Sequence, residues 1–372
     1  MEHDSTYRAG TYIGWVGHKN LGDEAMWEVC RKQFPQIRWF AHKRIGESFR
    51  RAFSRARHEV SSLGSVGDRN EQRIQRRSVE TGLLGGGTLI NRNETYLNSY
   101  RLLRRRTGRP VPVFGSGVAS TEIWSALSGW SDRRREWVEL VSELPVVGVR
   151  GPLSQSALEA AGARNVTISG DPAVMFHTPL PPATESSEPK RCLRIGVNCG
   201  HARSLLWGSN AQIHESLACV VEQLARAGHT VELLSVWRHD THYCRDIARR
   251  AGLSRAAVAP LLVSPRKFME RMKTLDLVVA LKLHTGVMAA AANVPFVMLE
   301  YRPKCLDFAL TLDWERFTIR TSELSANKLM ETILRLSSEI PSARAELCRK
   351  MCELSSRFES YCRRIEPLLM SA

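Results

Sequence analysis

Residues 275–299 constrain the fold more than any other part of the chain. Seven mostly apolar residues end at the turn Lys282-Leu-His284, and an alanine-rich helical pattern and a second apolar stretch, 296–299, follow. This order predicts a strand, a tight turn, a helix and another strand. Lys282 and His284 then lie at the carboxyl end of a parallel strand, where open α/β sheets bind ligands and a helix start attracts anions. The pair indicates a site for a phosphorylated substrate.

Strand and helix patterns alternate along most of the chain. Further strands are predicted at 11–16, 82–84, 111–114, 146–149, 166–169, 193–197 and 230–235, and helices at 25–33, 212–227, 322–337 and 342–361. Such alternation favours parallel sheets with right-handed crossovers. A stretch rich in Pro, Ser and Glu separates two halves. We therefore predict an α/β fold with two Rossmann-like domains, 1–178 and 192–372, a linker at 179–191, an interdomain cleft and carboxy-terminal helices.

Charge and cysteine content bound the function. The net charge of +15 is shared by both halves, but residues 48–109 hold 14 Arg against 5 acidic residues. These arginines include Arg50, Arg51, Arg55, Arg57, Arg76, Arg77 and Arg104 to Arg106. That segment could face nucleic acid, anionic lipid headgroups or a phosphorylated acceptor, or simply form a solvated basic face. No apolar run reaches about 18 residues and no signal peptide opens the chain, so we expect a cytoplasmic protein, at most peripheral at the inner face of the membrane. The 9 cysteines show no metal-ligand spacing, so we expect reduced thiols and no metal site.

Polar residues gather at the amino-terminal strand end. Asn20, Asp23 and Glu24 could orient or deprotonate a hydroxyl, although Asp23 could equally cap the next helix and Glu24 favour its dipole. Gly86 and Gly87 could cradle a phosphate or serve as turn residues lining the cleft. The later Gly-Ser-Gly at 115–117, predicted as a turn after the strand at 111–114, lacks the third glycine of a dinucleotide fingerprint, so we expect no NAD. No motif for another cofactor stands out, so we expect none.

Further candidates follow other strands. Arg150 could bind a carboxylate or phosphate bidentately or form a structural ion pair. On an extended strand end, Lys282 and His284 would project to one side. The remaining candidates for substrate binding, each after a predicted strand of the second half, are His201, Arg203, Tyr301 and Lys304.

The assembled pattern resembles the polysaccharide pyruvyl transferase family. The matching pieces, spread over about residues 11–305, are Tyr12-Ile-Gly-Trp-Val-Gly17, Asn20-Leu-Gly-Asp-Glu24, Gly85-Gly-Gly87, Gly115-Ser-Gly117, Val149-Arg150 with Leu153-Ser and Leu158, Gly170-Asp-Pro172, Leu283-His284, Pro295 and Tyr301 to Lys304. The chain departs from the family pattern at two positions. Lys282 stands where the family usually has Arg, and Gly151 stands where an Asp often follows the arginine.

The resemblance implies a GT-B-like pair of domains and a metal-independent transfer of pyruvate, as a ketal, from phosphoenolpyruvate to a sugar. It implies that Arg150 and the basic residue at 282 hold the donor and that His284 is the acid. The residues suit this chemistry. Two or three cations, among them Lys304, are needed to hold a carboxylate and a phosphate. Imidazole in water has a pKa of about 6.5, which suits proton donation near neutral pH. Asp23 or Glu24 would be the base.

Three functions follow from these observations. The leading one is a pyruvyl transferase acting on a cell-surface polysaccharide or a lipid-linked glycan precursor, with the acceptor on the amino-terminal side and the donor on the carboxy-terminal side. A GT-B glycosyltransferase using a nucleotide sugar shares the two-domain cleft. A nucleic-acid-binding protein would suit the charge alone, but the chain lacks the standard motifs and the interleaving of aromatic and basic residues, so we expect no nucleic-acid partner.

Overall fold

The computed structural model describes residues 7–42, 79–180, 192–202 and 205–371. Several predictions made above fall outside these ranges. They concern Arg203, most of the linker, and the basic residues Arg50, Arg51, Arg55, Arg57, Arg76 and Arg77.

The amino-terminal half holds seven described strands, all parallel. They are β1 (Arg8–Ile13), β2 (Ile37–His42), β3 (Thr81–Leu84), β4 (Gly87–Ile90), β5 (Phe114–Val118), β6 (Val147–Val149) and β7 (Val166–Ile168). They form the ladders β2-β1-β3 and β4-β5-β6-β7, which a bridge between Leu84 and Val113 connects. The described helices of this half are α1 (Leu21–Gln33), α2 (Glu94–Thr107), α3 (Thr121–Trp124), α4 (Arg134–Val141) and α5 (Pro152–Glu159).

The carboxy-terminal half holds one parallel sheet in the order β12-β11-β10-β8-β9. Its strands are β8 (Arg194–Asn198), β9 (Thr230–Leu234), β10 (Leu277–Ala280), β11 (Phe296–Glu300) and β12 (Thr318–Arg320). Its helices are α6 (Asn210–Arg226), α7 (Thr241–Arg250), α8 (Pro265–Met272), α9 (Leu283–Ala291), α10 (Pro303–Thr311), α11 (Ala326–Ser338) and α12 (Ile340–Met370). Every residue of β10 and β11 is buried, as expected for parallel strands covered by helices on both faces. The predicted α/β alternation and the two terminal helices are confirmed.

One predicted strand was placed too early in the chain. The pattern predicted a strand at 111–114 and a turn at 115–117, whereas β5 runs through all three of those residues. Glycine is required there by close packing: a Cβ at Gly115, whose φ is +63°, would lie 2.4 Å from the carbonyl oxygen of Gly170. A Cβ at Gly117 would lie 2.4 Å from a terminal nitrogen of Arg150. These glycines let neighbouring groups approach the strand.

The last helix returns from the second half to the first. α12 follows the second sheet in sequence, yet Phe358 packs edge-to-face on Phe114 of β5 with ring centroids 5.0 Å apart. The Ser355 hydroxyl donates to the carbonyl of Val174 at 3.2 Å, and the Tyr361 hydroxyl donates to the carbonyl of Val113. α12 therefore ties the two halves together. Within the described residues, no helix combines the length and the apolar character needed to span a membrane.

A carboxylate of the second half caps a helix of the first. Asp307 of α10 accepts hydrogen bonds from the backbone N–H groups of Leu153 (2.9 Å) and Ser154 (3.2 Å), and from the Ser154 hydroxyl (2.6 Å). These bonds satisfy N–H groups that every helix start leaves unpaired. Gly151 makes the approach possible, because a Cβ there would lie 2.2 Å from the carbonyl oxygen of Asp307. The departure from the family pattern at Gly151 thus matches a local packing requirement.

We predict that Gly151→Ala destabilises the protein by about 1–3 kcal/mol, because the added methyl group must push α10 away from α5. Thermal or urea unfolding measures the loss. Ser156→Ala, an exposed change on the same helix, is the matched control and should leave the midpoint unchanged. Equal stability of Gly151→Ala and wild type would contradict this packing.

Candidate functional site

Three polar residues from three strand ends meet at the cleft. Arg150 follows β6, Asp171 follows β7, and His284 lies in the first turn of α9. Asp171 Oδ2 is 3.0 Å from Arg150 Nε and 3.5 Å from His284 Nε2, and Asp171 Oδ1 accepts from the backbone N–H of Ala173. Burial alone would raise the pKa of Asp171, but His284 and Arg150 together hold it well below its usual range. The ionised carboxylate positions the imidazole of His284.

Asp171 is a site residue that the sequence reasoning missed. The turn Gly170-Asp171-Pro172 was noted as a strand end and as part of the family pattern, but its carboxylate was given no role. Its position after a strand, like that of Arg150, was the available signal.

Arg150 takes part in the ion pair. Its side chain is 1% exposed, and besides Asp171 it donates to the Thr88 hydroxyl at 3.2 Å. This is the structural alternative named for Arg150. A direct contact between Arg150 and a ligand stays a prediction.

Asp23 lies in the first turn of α1, close enough to His284 to interact with it. Partial burial raises the pKa of Asp23 to about 6, although His284, Arg92 and Lys304 favour its ionised form. α1 approaches His284 closely, because a Cβ at Gly22 would lie 1.9 Å from His284 Nδ1. A partly exposed carboxyl group that titrates near neutrality can exchange a proton with a substrate.

The other polar residues of this turn have structural partners. Asn20 is the N-cap of α1, accepting from the backbone N–H of Gly22 at 3.1 Å, so the alternative in which Asp23 caps this helix was wrong. Glu24 accepts from the backbone N–H of Gly17 at 2.9 Å. Asn20 also forms a backbone bridge to Trp237 of the second half.

A group of cations faces Asp23 across the cleft. Burial lowers the pKa of Lys304, in the first turn of α10, to about 7, and nearby Arg302, Arg150 and Arg92 act in the same direction. Arg92, which follows β4, was not among the predicted residues; within the described part of the chain no carboxylate forms an ion pair with it. This concentration of positive charge favours an anionic ligand.

Lys282 contacts a different set of groups from His284. Its ammonium donates to the carbonyl of His201 at 2.7 Å and lies 3.7 Å from Asp240 Oδ1. β10 ends at Ala280 and α9 begins at Leu283, so the two residues do not alternate along an extended strand as predicted. A role for Lys282 or His201 with the donor stays a prediction.

The ring of Tyr301 lies close to both Lys282 and Lys304. Its buried ring has the nitrogen of Lys282 at 5.6 Å and that of Lys304 at 5.2 Å from its centroid. The glycine turn at 85–87 serves local structure. Gly86 donates its N–H to the Tyr12 hydroxyl at 3.1 Å, and Gly87 begins β4 with a φ of +107°. The Gly86 N–H is therefore already bound.

Several solved structures have a similar fold, and two of them hold a UDP-sugar. The chain is similar to Anabaena Alr3699/HepE in complex with UDP-glucose (TM-score 0.59, 12% identity, 97% of this chain and 99% of that chain). It is also similar to UDP-GlcNAc 2-epimerase from Neisseria meningitidis bound to UDP-GlcNAc (0.56, 10%, 98% and 100%). Trehalose-6-phosphate synthase OtsA is a third (0.56, 12%, 98% and 99%). At these identities the likeness concerns the fold alone, and it confirms the expected GT-B-like architecture.

The sequence comparisons point to one family. Among the curated proteins no sequence matches the chain significantly. A model of the family described as polysaccharide pyruvyl transferase matches residues 20–303, well over half of the chain. That range includes Asp23, Asp171 and His284 at the cleft. The chain belongs to the polysaccharide pyruvyl transferase family.

Proposed function

We propose that the chain transfers the pyruvyl group of phosphoenolpyruvate, as a ketal, to two hydroxyl groups of one sugar in a cell-surface polysaccharide or its lipid-linked precursor. The position of His284 carries the proposal: its ring pairs with buried Asp171 and also interacts with partly exposed Asp23. A proton donor and a proton acceptor thus share one cleft with a group of cations.

The cations suit the donor. Phosphoenolpyruvate carries a carboxylate and a phosphate, and Lys304 and Arg92 offer positive charge for them. α10 begins at Pro303 with no side chain capping it, so the positive end of its helix dipole also favours an anion. Arg150 and Lys282 add positive potential while their nitrogens bind protein oxygens. These cations supply the charge that the donor requires, so we propose a route without a metal ion.

The proposed reaction runs in two additions. His284 protonates the methylene carbon of phosphoenolpyruvate, which makes C2 electrophilic, while Asp171 balances the charge of the imidazolium. A sugar hydroxyl attacks C2 and gives its proton to Asp23. Phosphate then leaves C2 and takes the proton from Asp23. A second hydroxyl attacks the same carbon and gives its proton to the now neutral His284, which closes the ketal and restores the acid. The products are the pyruvylated sugar and inorganic phosphate.

We predict that phosphoenolpyruvate, incubated with the protein and a panel of sugar acceptors, yields phosphate and a product heavier by one pyruvate ketal. His284→Gln should lower kcat at least about 100-fold, because the acid is lost. The control is His229→Gln, which should keep full activity. His229 lies just before β9, at the amino end of that strand, whereas the cleft lies at the carboxyl ends of the strands. Full activity of His284→Gln would contradict the proposed acid.

The same preparation separates the two enzyme classes. In a thermal-shift screen phosphoenolpyruvate should raise the unfolding temperature, whereas UDP-, GDP- and CMP-sugars should not. Stabilisation by a nucleotide sugar alone would favour the glycosyltransferase function and overturn the proposal.

We predict that Asp23→Asn stabilises the protein at pH 8 by about 2 °C while lowering kcat at least about 100-fold. The pKa of Asp23 is higher in the folded than in the unfolded chain, so its charge disfavours folding above about pH 6 and has no such effect below about pH 4. The gain in unfolding temperature should therefore fade between pH 6 and pH 4.

Glu28 on the same helix supplies a control of opposite sign. Lys32 and Arg266 lower its pKa, although burial opposes them. Glu28→Gln should therefore lower the unfolding temperature at pH 8. A stability loss in Asp23→Asn at pH 8 would refute the destabilising charge.

A lipid-linked acceptor would bring the protein to an anionic membrane surface. At the end of α2, Arg104 pairs with Glu143, and Arg105 and Arg106 are exposed. Exposed arginines near a membrane each add about 1 kcal/mol of attraction to anionic lipid. We propose that this helix end contacts the membrane peripherally.

We predict that Arg105→Glu/Arg106→Glu weakens binding to phosphatidylserine vesicles at least about tenfold in a sedimentation assay. Arg249→Glu/Arg250→Glu makes the same change of charge at the end of α7 and should bind like wild type. Equal binding by the first variant would remove the membrane contact from the proposal.

A further inference from the structure

A second cluster of reactive side chains involves residues that the proposed reaction does not use. His177 follows the 3₁₀ helix Pro172–Phe176, and Cys348 and Cys352 stand one turn apart on α12. The ligating atoms of these three residues lie within 4.8 Å of one another. We propose that they bind a zinc ion, with the fourth position open to water.

The distances suit tetrahedral zinc. Zn–N bonds of about 2.0 Å and Zn–S bonds of about 2.3 Å separate neighbouring N and S ligands by about 3.5 Å and two S ligands by about 3.8 Å. His177 Nε2 lies 3.3 Å from Cys352 Sγ. Zinc therefore needs only small side-chain adjustments, and all three residues are partly exposed, which gives an ion access.

The surrounding backbone prepares two of the ligands. His177 Nδ1 lies 3.2 Å from the carbonyl oxygen of Ala291, and an N–H there leaves the Nε2 lone pair for the metal. The backbone N–H of Leu180 points to Cys348 Sγ at 3.5 Å, a bond that stabilises a thiolate. Histidine ligands of zinc are typically oriented by such a carbonyl acceptor.

Chain packing explains why the spacing of the cysteines gave no sign of this set. Cys348 and Cys352 have no histidine near them in sequence, and the expectation of no metal site rested on that spacing. α12 returns to the first half, where Ser355 bonds to Val174, and this contact brings the two thiols to His177. Zinc would fasten α12 to the segment that leaves the first sheet. On binding, each thiol gives its proton to solvent.

The test is titration of the chelator-treated, reduced protein with Co²⁺ and then Zn²⁺. We expect one equivalent of Co²⁺ to produce the visible absorption of a tetrahedral site and a thiolate charge-transfer band, both removed by Zn²⁺. Cys348→Ser, Cys352→Ser and His177→Ala should each weaken Zn²⁺ binding at least about tenfold. Cys192→Ser and Cys219→Ser, which change cysteines elsewhere, are the matched controls.

Two results would overturn the proposal. One is the absence of a saturable thiolate-to-cobalt band in the wild type. The other is a band that survives in the Cys348→Ser/Cys352→Ser double variant or disappears in a control. Because the readout is spectroscopic, it is independent of pyruvyl transfer, and either proposal can fail without the other.

Discussion

The buried carboxylate of Asp171 is the interaction on which the cleft depends. It belongs to the first half, yet it pairs with His284 of the second half, while Arg150, just after β6, neutralises its charge. A buried carboxylate is tolerated only when its charge is paired, and removal of one partner typically costs about 3–5 kcal/mol. The halves can therefore separate at this point only by exposing or unpairing the group. The same contact fixes the imidazole against α1, where Gly22 leaves room for the ring.

Asp23 and Lys304 lie near the Asp171 ion pair, and the protein neutralises their charges only in part. Burial disfavours the ionised form of Asp23 and the protonated form of Lys304, and their pKa values of about 6 and about 7 lie close together. Shifts of this kind cluster at functional sites, because a proton can then move near neutral pH. An anion bound beside Lys304 and Arg92 would stabilise both cations. We therefore expect an anionic ligand to stabilise the cleft, whereas the carboxylate of Asp171 is already paired with Arg150.

How much of the fold and the site the sequence predicts depends on how far apart in the chain the interacting residues lie. Local periodicity located β10, α9 and the turn that carries His284, since strand and helix patterns are read over a few residues. It failed where a long-range contact decides the geometry. Gly115 was read as a turn residue although β5 runs through it beside Gly170, and Asp171 had no assigned role because its partners lie 21 and 113 positions away. The alternation of Lys282 and His284 assumed an extended chain, and the helix starts between them.

The two departures from the family pattern have local physical reasons. Gly151 leaves space for Asp307, whose carboxylate caps α5 from the other half, so a side chain at 151 would displace the residue that satisfies this helix start. Lys282 places a compact ammonium between the His201 carbonyl and Asp240, beside Gly200, where a Cβ would lie 2.9 Å from the lysine Cε. A guanidinium is larger and planar and would need more room there. Each departure is matched by a neighbouring group, so both are consistent with an unchanged arrangement of Asp171 and His284.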